Sequence, residues 1–145
     1  MKAIIAVNNL GFIGLHNSLP WKSKEDLQHF QKLTKQSHLG NEIPILVAGM
    51  NTFKELPELK GRRVIMPLYP DELPNNPESR KDMATDLNIV DWCIGGRKTY
   101  ERYVRYFTEL HISHIDDNTI GDCRFPDLTY LNKDCKIFNY YFKTN

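Results

Sequence analysis

Asp26 follows Leu19-Pro20-Trp21 at short range and sits beside Leu27 and Phe30. Ser23-x-x-Asp26 has the form of a capping box with Asp in the Glu/Gln place, so the spacing predicts a helix from Ser23 or Lys24. Leu27 adjoins the acid and Phe30 lies one turn on, with Leu33 and Thr34 continuing that face. A carboxylate among these side chains would be partly desolvated. Taken alone, the same acid also reads as a first-turn residue favoured by the helix dipole.

Two glycine junctions could meet a ligand's phosphates. Ile94-Gly95-Gly96 ends an apolar run and precedes Arg97-Lys98-Thr99-Tyr100, a helical pattern. Glycines there let backbone approach a ligand closely, and a helix start offers free N–H groups to an anion. Arg97 and Lys98 add positive charge. The pattern lacks the full dinucleotide fingerprint and the phosphate-loop lysine motif. Gly49-Met50-Asn51-Thr52 is a second strand-to-helix junction of the same kind, read alone as a helix cap. Ser113 lies in Ser113-His114-Ile115-Asp116 and could present its hydroxyl to a ligand. His111 and His114 are three apart, so on a strand they point to opposite faces and cannot readily share a metal ion.

Positioning these groups takes an α/β arrangement. Strands are expected at 2–7, 43–48, 63–66, 88–94, 111–116 and 134–142, and helices from Ser23, at 50–56, 78–87 and 97–107. The stretch from Pro67 to Pro77 has four prolines and reads as loop. The 145 residues suit one domain, with 41% hydrophobic and 26% charged residues and a net charge of +1. No global field would draw the chain to nucleic acid or a membrane, and no apolar run is long enough to span a bilayer. Met1 to Val7 is too brief for a signal peptide. The three cysteines lack metal-ligand spacing and suit a reducing, cytoplasmic compartment.

Taken in order, these landmarks resemble the dihydrofolate reductase family over nearly all of the chain. They are Ile4-Ile5-Ala6, Ile13-Gly14, Leu19-Pro20-Trp21, Asp26-Leu27-x-x-Phe30, Gly49-x-x-Thr52 and Gly61-Arg62. Ile94-Gly95-Gly96 with Tyr100, His114-Ile115-Asp116, Gly121-Asp122 and Phe125-Pro126 complete the set. The resemblance implies a single α/β domain over residues 1–145. Its sheet would be twisted and mostly parallel, flanked by about four helices, with a shortened C-terminal strand pair. It implies reduction of 7,8-dihydrofolate to 5,6,7,8-tetrahydrofolate by hydride from NADPH, with NADH admissible. Asp26, Trp21 and Ser113 would be catalytic, Ser113 standing where the family usually has Thr. Ile4, Leu27, Phe30, Leu56 and Ile94 would wall the substrate pocket, and Arg62 would pair with the folate glutamate. Ala6, Ile13, Gly14, Asn17, Ser18, Gly49, Asn51 and Thr52 would line the cofactor. Arg63, Leu68, Gly95, Gly96, Arg97, Lys98, Thr99 and Tyr100 would complete that lining. The implied molecule is a monomer acting on a small molecule, with a dimer through the shortened sheet edge left open. Two other readings keep the fold: a non-catalytic binding module, and a reductase of another pterin- or flavin-pathway substrate.

The chain departs from the family pattern at Met50, where a basic residue is common, and at Pro67-Leu68-Tyr69, where small polar or basic residues meet the cofactor's extra phosphate. Arg97 replaces a small residue, and one C-terminal strand is short of the usual pair. Arg63, Arg97 and Lys98 are candidates to restore the missing charge. The expected outcome is weak discrimination between NADPH and NADH. A kcat/KM ratio below about a hundredfold, roughly 2.7 kcal/mol, fits this, and a larger NADPH preference contradicts it.

Overall fold

The computed structural model describes residues 1–14, 19–67 and 86–145. The apolar run at the start forms strand β1 (Lys2–Asn8), buried at Ala3, Ile4, Ile5, Val7 and Asn8. Around it assemble β3 (Ile45–Val47), β4 (Arg63–Ile65), β5 (Trp92–Cys93), β6 (Glu109–Asp116) and β8 (Lys136–Lys143). The six-stranded sheet has the order β4-β3-β5-β1-β6-β8, and every pairing in it is parallel. Strands covered on both faces carry near-continuous apolar runs, as β1 and β3 do, whereas β6 is buried along much of its length yet carries His111 and Ser113. A separate antiparallel pair joins β2 (Phe12–Gly14) to β7 (Cys123–Arg124).

Three α-helices are seen among the described residues, where about four were expected. These are α1 (Lys24–Thr34), α2 (Met50–Glu55) and α3 (Arg97–Tyr103). The expected helix at 78–87 lies mostly outside the described residues. One face of the sheet carries Ile4, Leu46, Trp92 and Ile94, against which Phe30 and Leu33 of α1 pack. The opposite face carries Ala3, Ile5, Val47, Leu110 and Ile112 with Tyr100 and Tyr103 of α3 and Phe107. No helix among the described residues is long and apolar enough to cross a membrane.

Some boundaries differ from the sequence reading. Residues 88–94 do not form one strand: Asp86–Ile89 is a 3₁₀ turn, and only Trp92 and Cys93 enter the sheet. The turn delivers Asp91 beneath the segment that precedes β3. The helix at 97–107 ends at Tyr103 and tightens into a 3₁₀ turn through Tyr106. At the C-terminal end a single strand, β8, lies beside β6.

Asp91 is fully buried and organises that side of the sheet. It accepts hydrogen bonds from Ser37 Oγ at 2.7 Å, Asn41 Nδ2 at 2.9 Å and the Ile45 N–H at 2.9 Å, with His38 Nδ1 at 3.6 Å. Burial opposes its ionisation. The Ile45, Asn41 and Ser37 hydrogen bonds and the His38 charge outweigh burial and hold the carboxyl below the usual carboxylate range. A depressed carboxyl stabilises the fold at neutral pH, and that contribution is lost as pH falls through its folded value. Asp91→Ala is expected to cost about 2–4 kcal/mol in urea unfolding at neutral pH, with the gap from wild type narrowing in acid. A gap that is constant with pH would contradict the charge's role.

Candidate active site

The first turn of α1 carries the acid. Ser23 is the N-cap, and its Oγ accepts the Asp26 N–H at 3.2 Å. The same hydroxyl donates to the Lys143 carbonyl of β8 at 2.7 Å. The Lys24 N–H reaches Asn145 Oδ1 at 2.8 Å, and the Asn145 N–H reaches the Lys22 carbonyl at 3.0 Å. The helix start is thereby clamped to the end of the chain, and Asp26 is only 8% exposed.

Burial pushes the Asp26 carboxyl above the usual carboxylate range, while the Ser113 hydroxyl and the Trp21 indole N–H pull it back. Ser113 sits on β6 with no exposed surface, and Trp21 is also buried. Neither Ser113 Oγ nor Trp21 Nε1 completes a hydrogen bond within the protein. Buried polar atoms nearly always have partners. Two such atoms turned toward one desolvated carboxyl mark a place for a polar ligand or water.

The glycine junctions lie side by side at the carboxyl ends of β3 and β5. The Gly49 N–H donates to the Gly95 carbonyl at 2.6 Å. A Cβ on Gly49 would stand 2.6 Å from Thr99 Oγ1, and one on Gly96 would stand 3.2 Å from Thr52 Oγ1. Gly95 has φ +115°, and a Cβ there would meet the Tyr100 ring at 3.1 Å. Only glycine suits such a backbone. The Tyr100 hydroxyl donates to the Ile4 carbonyl at 2.6 Å, tying α3 to β1. This crevice at strand ends is where open α/β sheets take ligands. The starts of α2 and α3 border it, so a phosphate-bearing cofactor fits the residues present.

The other expected residues divide clearly. Ile4 and Ile94 are buried in the sheet on the α1 side, with Phe30 and Leu56 packed against them. Leu27 is 55% exposed and stands on the open face of α1. Arg62 lies across from α1, with Nη1 donating to Thr34 Oγ1 at 2.9 Å and Nε to the Lys60 carbonyl at 3.2 Å. Beside it Leu56, Leu59, Val64, Phe53, Pro57 and Glu58 line an open cavity of about 300 Å³. Ala6 and Ile13 are half-buried, and Gly14 is buried where β2 meets the 121–123 segment. A Cβ on Gly121 would run into the Gly14 carbonyl. Asn51 is exposed and Thr52 half-buried at the start of α2, while Thr99 is buried in α3. Lys98 is exposed, and Arg97 Nε lies 3.6 Å from Glu101. Asn17, Ser18 and Leu68 lie outside the described residues.

Arg63 requires a correction. It opens β4 opposite Ile45, and its N–H bonds the Pro44 carbonyl. Parallel strands align their starts, so Arg63 is at the amino edge and the glycine crevice is at the carboxyl edge. It cannot supply charge there, which leaves Arg97 and Lys98.

A match to the dihydrofolate reductase family model covers residues 1–137. The chain belongs to the dihydrofolate reductase family. The dihydrofolate reductase of Buchnera aphidicola from Schizaphis graminum is 29% identical over 97% of this chain and 84% of its own length. The type 9 dihydrofolate reductase of Escherichia coli is 31% identical, covering 84% and 73%, and the type 3 enzyme of Salmonella typhimurium 32%, covering 89% and 78%. The structure of Enterococcus faecalis dihydrofolate reductase, complexed with NADP(H) and RAB-propyl, superposes with a TM-score of 0.66. It is 24% identical and covers 89% of this chain and 78% of that one. The fold is thus a dihydrofolate reductase fold.

Within this family member the sequence reading missed the layer behind Ser113. Tyr140 of β8 is the register partner of Ser113, and its hydroxyl lies 2.9 Å from His111 Nδ1. His111 Nε2 contacts Glu109 Oε1 at 2.9 Å. His29 of α1 packs its ring 4.1 Å from that of Tyr140, and its buried Nε2 has no hydrogen-bond partner. No local pattern links residue 29 to residue 140, because only sheet register brings them together.

The raised Asp26 carboxyl has a stability consequence. A carboxyl raised in the folded state favours folding while protonated, and this contribution is lost as pH rises through its folded value. Asp26→Asn removes the cost of a buried charge, so its Tm is expected to exceed that of wild type at neutral pH. The advantage should vanish in acid, where Asp26 is protonated. A Tm deficit at neutral pH would contradict the desolvation of this acid.

Proposed function

We propose that this chain reduces 7,8-dihydrofolate to 5,6,7,8-tetrahydrofolate with NADPH as the hydride donor. The observation that carries the reading is Asp26: a buried carboxyl facing two polar groups without partners, on the helix that packs against the sheet bearing the paired glycine junctions. In this reading Asp26 accepts hydrogen bonds from the pterin's amino group and ring nitrogen. The Ser113 hydroxyl and the Trp21 indole N–H orient the acid or a water beside it. Phe30, Leu56 and Leu27 flank the rings, and Arg62 receives the folate carboxylate, its guanidinium already steered by Thr34 and the Lys60 carbonyl.

Gly49, Gly95 and Gly96 hold the backbone open for the cofactor, with Thr52, Thr99 and Lys98 at the helix starts. Bound there, the reduced nicotinamide supplies the hydride. The protein's own contribution is alignment and charge. Ionised Asp26 favours a pterin protonated at N5 over a neutral one. Across the ring, at about 7 Å and an effective dielectric near 20, that attraction is roughly 2 kcal/mol before desolvation. Protonated N5 makes C6 a better hydride acceptor. Solvent water can provide the proton, so Asp26 need only stabilise the cation. A reducing compartment, the cytoplasm, suits the three free thiols, Cys93, Cys123 and Cys135.

Asp26→Asn is expected to lower kcat at neutral pH by about 10²–10⁴. The deficit should shrink as pH falls and solvent protonates the pterin. Loss of absorbance at 340 nm with dihydrofolate and NADPH, followed across pH, measures both. A deficit that does not change with pH would remove Asp26 from this role, and a wild-type chain without turnover would remove the reading itself.

A further inference from the structure

Strand β8 lies at the edge of the sheet and spans eight residues, Lys136–Lys143, pairing with β6 along its whole length. No element among the described residues pairs with its other side. The Lys136 N–H bonds the Thr108 carbonyl. Alternation then points Phe138, Tyr140 and Phe142 backbone groups toward β6, and those of Ile137, Asn139 and Tyr141 outward. The strand contains no proline, and its only charges are the lysines at its two ends. Its side chains are apolar and in view: Ile137 is 50% exposed, Phe138 38% and Tyr141 75%. A long, apolar edge of this kind is a template for pairing with another strand, and proteins normally cover or break one.

We propose that this edge pairs with the same edge of a second copy of the chain, antiparallel and centred on Asn139. A two-fold axis normal to the sheet demands that opposed residues share a face, which allows centres on a residue but not between residues. Centring on Asn139 sets Ile137 opposite Tyr141 of the second copy, and Tyr141 opposite Ile137. The outward N–H and C=O groups of residues 137, 139 and 141 then form six hydrogen bonds between the copies. On one face the two most exposed apolar side chains of the strand cover each other. On the other, Phe138 meets Tyr140, an aromatic cross-strand pair.

The lysines do not oppose this register. Lys136 falls opposite Phe142, and Lys143 lies beyond the hydrogen-bonded stretch opposite Cys135, so no lysine faces a lysine. Centring on Tyr140 instead would draw on the Lys143 carbonyl, which already accepts the Ser23 hydroxyl. The strand is therefore complementary to itself in the register that engages all three residues whose outward backbone groups are free. The closed pair forms a continuous sheet through both copies and leaves neither β8 edge open.

Sedimentation equilibrium across a dilution series tests this. The wild-type chain is expected at twice the chain mass when concentrated, dissociating on dilution. Tyr141→Lys, which places a charge against Ile137 of the second copy, is expected to weaken the dimer about tenfold or more while leaving turnover unchanged. Asn139→Pro removes a central donor that β6 does not use and should do the same. In wild type, amide exchange at residues 137, 139 and 141 should slow as concentration rises. A wild-type chain that stays monomeric throughout overturns the proposal, as does a dimer whose affinity neither variant changes. Concentration-independent protection of those three amides also overturns it and assigns the edge to another part of the same chain.

Discussion

The demand that a carboxyl sit out of water, against the cost of its own charge, governs this molecule. Asp26 meets that demand through its neighbours. Its backbone N–H is held by Ser23, and the Ser23 hydroxyl is in turn committed to Lys143. Lys22 and Lys24 engage Asn145, so the segment after β8 converges on the first turn of α1. The acid's side chain keeps its options open because Trp21 Nε1 and Ser113 Oγ have no other partner. A fully satisfied cluster would stabilise the fold more and bind less, the usual conflict between stability and a working site.

The parallel sheet explains how the acid and the glycine crevice can serve one site. With every strand of the main sheet running the same way, the carboxyl ends of β3 and β5 lie together, and the helices that follow begin there. Helix starts supply unpaired N–H groups, and glycine removes the side chains that would otherwise fill the gap. The α1 side of the same sheet holds the apolar wall around Asp26. In the proposed reaction, anion cradling and cation stabilisation meet here without either element reaching far. Asp91 performs the complementary task at the other end of the sheet, where a buried carboxylate gathers the segment before β3.

The C-terminal strand has two duties. It anchors the start of α1 and backs Ser113 with Tyr140, and it also ends the sheet. Its inward backbone groups are satisfied by β6, whereas the outward ones of residues 137, 139 and 141 have no partner among the described residues, and several of its apolar side chains are exposed. Tyr140 and Phe142 pack at a tilt against His29 on the α1 side, while Ile137 and Tyr141 face away with little cover.

Much of this was legible locally. Ser23 and Asp26 announce a capped helix because a first turn has free N–H groups that such side chains satisfy. Gly49, Gly95 and Gly96 announce close backbone approach because no other residue leaves the space. The order of these landmarks carries the family. Contacts distant in sequence were not legible: Ser23 with Lys143, Tyr140 behind Ser113, Gly121 against Gly14. Nor was the placement of Arg63, whose charge says nothing of which sheet edge it occupies until β4 aligns with β3. Residue types and short spacings therefore determined which groups could do chemistry here. Register and strand direction decided which of them share a site, since those follow from the packing of the whole sheet and not from any stretch of neighbours.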